Sequence, residues 1–133
     1  MARTHATNPG NLSEAVQKIL REYEDDVEHN LAEITKKLGK AGAKKLAAAS
    51  RAAFPKGTGE YARGWKADDY SERIVKTTVI HQKDLPGLPH LLEHGHVGYV
   101  NGRRIKDVEG REHILPVEKE LVEQYQEEVL AKL

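Results

Sequence analysis

The chain has no cysteine, which removes disulfides, thiolate catalysis and sulfur-ligated zinc together. Aromatic residues are scarce, with one Trp, one Phe and five Tyr, so the core must be mostly aliphatic and modest. That leaves room for a partner's surface to complete the burial. Neither sign of charge is in excess, 21 Lys and Arg standing against 21 Asp and Glu. The overall charge therefore argues for neither nucleic acid nor a membrane surface. No apolar run approaches the roughly 18 residues of a membrane helix. Residues 1–10 hold Arg3, His5 and Asn8 and lack the apolar centre of a signal peptide. The expectation is a soluble intracellular protein, with 1–10 as a flexible tail and 11–133 as a single domain.

What is present begins with a long helix. Asn11 can cap it, and Glu14, three positions on, can close a capping box. Leu12, Val16, Ile19, Tyr23, Val27, Leu31, Ile34 and Leu38 follow in steps of three and four, one face of a helix. Their mean spacing exceeds the roughly 3.5 residues of a two-stranded coiled coil, so the stripe is expected to pack on a sheet or on neighbouring helices. Gly39 and Gly42 weaken the helix by about 1 kcal/mol each relative to Ala, and an Ala-rich stretch then carries it to Pro55. A helix of about 40 residues runs roughly 60 Å, longer than a compact domain of this size needs, so part of it is expected to seek a neighbour.

Charge divides along this helix. Glu14, Glu22, Glu24, Asp25, Asp26, Glu28 and Glu33 face only Lys18 and Arg21 in its first part. From Ile34 to Gly59 there is no acid, while Lys36, Lys37, Lys40, Lys44, Lys45, Arg51 and Lys56 are basic. The helix macrodipole favours this order. A sharper reading is a dipolar rod whose basic half meets an acidic surface.

Pro55 to Gly59 reads as a turn, and Gly64–Tyr70 and Arg73–His81 read as strands, the latter from its β-branched content. Pro89–His94 is a short helical turn or the start of a strand, closed by Gly95. Asn101-Gly102 signals a hairpin with a type I′ turn. Pro116 opens a last helix on which Val117, Leu121, Tyr125 and Val129 recur every fourth residue. The fold class is α+β: a long N-terminal helix, a small, mainly antiparallel β-sheet, and a C-terminal helix packed on the sheet.

Candidate chemistry is thin. His94 and His96, two apart, would share one face of a strand, and His90 or His113 could complete three ligands for an open zinc site, with His113 the choice for a hydrolytic enzyme. No H-E-x-x-H helix accompanies them. There is no nucleophile elbow, no phosphate-binding loop and no pair of separated carboxylates. No catalytic residue, cofactor or metal is therefore assigned. Nucleic acid could be bound only by the basic stretch Lys36–Lys56 and the Arg103-Arg104-x-Lys106 tip, which no aromatic platform interleaves.

Three segments carry a resemblance. Pro55-Lys56-Gly57-Thr58-Gly59-Glu60-Tyr61-Ala62-Arg63-Gly64-Trp65 is similar to a T-G-x-L turn leading into a strand, with Glu60-Tyr61 where a small or polar residue and Leu are usual. Pro89-His90-Leu91-Leu92-Glu93-His94-Gly95-His96 is similar to a hydrophobic-hydrophobic-E-x-G-T/H element. Gly110-Arg111-Glu112-His113-Ile114-Leu115-Pro116-Val117 is similar to an R-x-[FH]-hydrophobic-x-P-A lead into a C-terminal helix, with Val117 in place of Ala. In this order, behind a charged Ala- and Lys-rich helix, they resemble the tail-completion or head–tail joining proteins of long-tailed double-stranded-DNA bacteriophages. The likeness spans about residues 31–130.

The resemblance implies a non-enzymatic subunit that stacks as a ring, commonly sixfold, between the head connector and the tail terminator or tube. It implies neither a membrane nor a specific nucleic-acid sequence as partner. The Glu93–His96 element and the Gly102–Asp107 loop are expected on an exposed edge. Glu93, His94, His96, Arg103, Arg104, Lys36, Lys40 and Lys44 are the candidate partner-facing residues.

Overall fold

A computed structural model describes residues 11–132, with side chains throughout that range except at 98–100 and 104–107. The expected flexible tail, 1–10, lies outside the described residues. The order is α1 (Leu12–Ala53), α2 (Glu60–Arg63), β1 (Trp65–Asp69), β2 (Thr78–Gln82), α3 (Leu88–His94), β3 (Gly95–Val100), β4 (Arg103–Glu109) and α4 (Leu115–Lys132). The α+β class is as expected.

The expected capping box is not formed. Asn11 sits at ψ 3° and makes no side-chain cap hydrogen bond, because that backbone angle is not the extended one that aims a cap oxygen at the first-turn N–H groups. At the other end Phe54 N–H bonds Ser50 O at 2.9 Å, and Pro55 stops the helix.

Gly39 and Gly42 do not soften α1; they are where other elements reach it. A Cβ on Gly39 would collide with the Thr78 methyl, and one on Gly42 would lie 2.6 Å from both Ile80 Cδ1 and Leu121 Cδ1. Both glycines are buried with Ile34, Leu38, Leu46 and Ser50 of the same helix. The loss of helix propensity is offset by contact with β2 and α4.

Where one sheet was expected there are two separate two-stranded ones. β1 and β2 are antiparallel from Trp65↔Gln82 to Asp69↔Thr78, and β3 and β4 from Gly95↔Glu109 to Val100↔Arg103. The second pair turns at Asn101 (φ 52°) and Gly102 (φ 79°), the type I′ hairpin read from the sequence. The strand expected from Arg73 starts only at Thr78. Residues before it form a loop instead: Asp69 Oδ1 accepts from Ser71 N–H at 2.9 Å, and Lys76 Nζ donates to the carbonyls of Glu72 and Arg73. Ile74 and Val75, β-branched though they are, lie exposed there.

The C-terminal helix packs along α1 and meets the first sheet at Ile80 through Leu121. Lys45 Nζ lies 2.6 Å from Glu120 and Lys37 Nζ 2.8 Å from Glu128. Eight positions along α1 thus match eight along α4 in the opposite direction. Among the described residues, no helix is long and apolar enough to cross a membrane.

Candidate assembly interface

The three segments that carry the resemblance meet at one end of the molecule, and Glu93 joins two of them. It is the penultimate residue of α3. Gly95 follows at φ 85°, and a Cβ there would strike Val108 O; one on Gly110 would strike Glu93 O. Residues 93–95 and 108–111 are therefore laid backbone against backbone, with Arg111 N–H bonded to Leu92 O at 2.8 Å. The chain then passes the Glu93 carboxylate, which accepts from His113 N–H at 2.7 Å, Ile114 N–H at 3.0 Å and Leu115 N–H at 2.9 Å.

Those three amides lead into and open α4, whose first-turn donors have no partner within the helix. Ile114, just before it, has no side-chain acceptor, so Glu93 supplies the cap from another element, with its charge at the favoured end of the dipole. Burial alone would raise the Glu93 pKa. The three backbone N–H groups, helped by nearby His113, outweigh it and hold the carboxyl below the ordinary glutamate value.

The third segment closes the clip. His113 is 3% exposed, with its Nδ1 2.7 Å from Arg111 O and 3.0 Å from Glu93 Oε1. Two acceptors at Nδ1 assign its hydrogen there, and Nε2 then accepts from Tyr61 O–H at 2.7 Å. Burial, and secondly the Glu93 charge, push the Tyr61 phenol up to about 12, which keeps that donor protonated. Phe54 stands edge-on to both Tyr61 and His113. Trp65 Nε1 donates to Ser50 Oγ at 2.9 Å, and Ser50 donates to Leu46 O at 2.6 Å. An open cleft of about 850 Å³ lies beside this clip, between Phe54–Gly57, Leu91-Leu92 and Val108–Arg111.

This geometry corrects several expectations. Glu93 is buried, 8% exposed, and is an internal cap rather than a partner-facing group. His94 ends α3 and His96 lies in β3, which begins at the positive-φ Gly95 between them, so they do not share a strand face. His94 instead lies beside His90, ring centres 4.9 Å apart. His113 is not placed with them: both its ring nitrogens are engaged inside the clip. Among the described residues no group of three or more His, Asp or Glu is arranged to hold a metal ion.

His94, His96 and Arg103 are exposed as expected, and the Arg104 side chain lies outside the described ones. Lys36, Lys40 and Lys44 are exposed on α1, but Lys36 already pairs with Asp69 at 3.4 Å. With Lys37 and Lys45 held by Glu128 and Glu120, part of the basic stretch is neutralised within the chain. The acidic surface met by the basic half of the rod includes the chain's own α4.

The part of α1 left to seek a neighbour is its first half. Leu12, Val16, Ile19, Leu20 and Tyr23 are 46–62% exposed; the first half of the apolar stripe has no neighbour among the described residues. The 18 residues of α4 lie along the second half of the 42-residue α1.

No family model, no curated protein and no solved structure matches this chain.

Proposed function

We propose that the chain is a structural, non-enzymatic subunit of a bacteriophage head–tail junction. It assembles with its own copies, as a ring, between the head connector and the tail terminator or tube. Its place is then the virion, and the host cytoplasm during assembly. The observation that carries the structural part of this reading is the bare half of α1. An apolar stripe about 20 Å long on a highly charged helix is a surface that a monomer seldom leaves uncovered. The resemblance of the three ordered segments supplies the phage context. Their convergence on one clip supports reading them as a scaffold: Glu93, Tyr61 and His113 are all used to hold the chain together.

Electron microscopy of particles from a phage or induced prophage lacking this gene tests the proposal. Filled heads and separate, unattached tails are expected, with joining restored by the intact gene. Normal infectious particles would overturn it.

A further inference from the structure

Resting on that reading, we infer that the bare half of α1 in one copy lies on the solvent-facing ridge of the second half of α1 in the next copy. The register of α4 defines what is bare. Continuing the match of Lys45 with Glu120 and Lys37 with Glu128 brings Lys132, near the end of the chain, opposite Glu33. Further out, Lys76 reaches back to Glu28 at 2.9 Å. Residues 12–27 project beyond this, a length of about 24 Å.

Charge selects the occupant. The projecting half and its junction carry seven acids against Lys18 and Arg21, so two such halves laid together repel. α4 is unfavourable too: Glu118, Glu123 and Glu127 are exposed on it against Lys119 and Lys132. The second half of α1 differs. Lys40, Lys44, Ala48 and Ala52 follow in steps of four, all exposed, and so form one ridge. No acid occurs between Ile34 and Gly59. Whereas Lys36, Lys37 and Lys45 are paired within the chain, Lys40, Lys44 and Arg51 have no acid of their own chain in bonding range among the described residues. Lysine stems and alanine methyls give an apolar floor between the charges, and small side chains let a second helix approach closely. The two surfaces differ, so the contact is heterologous and propagates from copy to copy, closing where the rotation allows.

The absence of cysteine makes the test direct. Full-length Ile19→Cys and Ala48→Cys proteins are mixed, oxidised and resolved by mass. Cross-linked pairs of one Ile19→Cys and one Ala48→Cys chain are expected to dominate over like pairs. Their yield should fall as salt shortens the screening length from about 10 Å at 0.1 M to about 3 Å at 1 M. Adding Lys40→Glu and Lys44→Glu to the second protein abolishes the product. Adding Glu24→Lys, Asp25→Lys and Asp26→Lys to the first as well restores it. All these positions are exposed, and circular dichroism confirms that each variant is folded. Ile19→Cys chains joining only each other, or joining Val122→Cys on α4 instead, would overturn the inference, as would no cross-link at any protein concentration. If tails still detach without this gene while no cross-link forms, the joining role stands and this contact falls.

Discussion

The two halves of α1 follow one periodicity and meet opposite surroundings. Ile34, Leu38 and Leu46 are 3–8% exposed against β1, β2 and α4, whereas Leu12, Val16, Ile19 and Leu20 on the continuing stripe are about half exposed. The apolar period alone does not separate the halves. What separates them is what packs against each: the first sheet and α4 lie on the second half. An amphipathic stripe states which face seeks an apolar neighbour, not whether the neighbour belongs to the same molecule.

This contrast can be broken in graded ways, read by denaturant unfolding of the purified chain. The largest loss is expected from Glu93→Ala, about 4 kcal/mol, because one buried and two part-buried N–H groups lose a charged acceptor at once. A loss below about 1 kcal/mol would mean that the α4 cap is dispensable. The same carboxylate gives an acid limb to stability. Its folded pKa is depressed, so its contribution is fully present above the ordinary glutamate value of 4.5 and is lost as pH falls through the folded value. Glu93→Gln should flatten that limb. Tyr61, raised to about 12, acts at the other end: its contribution is present below the ordinary value of 10 and is lost as pH rises toward 12.

Next comes Leu38→Ala, at about 3 kcal/mol for a cavity between α1 and its cover. Ser50→Ala follows at about 1 kcal/mol, since it strands the Trp65 indole N–H. Smallest is Leu20→Ser in the bare half, expected within about 0.5 kcal/mol for the free chain although the residue deleted is as apolar as Leu38. Equal losses at Leu20 and Leu38 would erase the distinction between the halves.

Much of this architecture was legible from residues. The extent of α1 followed from its stripe and Pro55, the second hairpin from Asn101-Gly102, and the start of α4 from Pro116. The loop at 70–77 was not legible, because Ile74, Val75 and Thr77 have strand composition while the Asp69–Ser71 turn and the Lys76 hydrogen bonds decide the path. Nor was the role of Glu93, since its three partners lie about twenty residues away and a cap donated by another element leaves no local pattern. One trace was available: Ile114-Leu115-Pro116 opens a helix with no Ser, Thr, Asp or Asn beside it, so an acceptor had to come from elsewhere. His113 followed the same course. Its residue type suggested a ligand, and its place behind Tyr61 makes it part of the frame.

Backbone hydrogen exchange along α1, compared between the purified chain and the chain in assembled particles, tests the division of labour most directly. The account predicts that amides of residues 34–53 are protected in both states, while those of residues 12–27 exchange rapidly in the free chain and slowly in the particle. Equal exchange of residues 12–27 in both states would contradict it, because the bare half would then gain no neighbour on assembly.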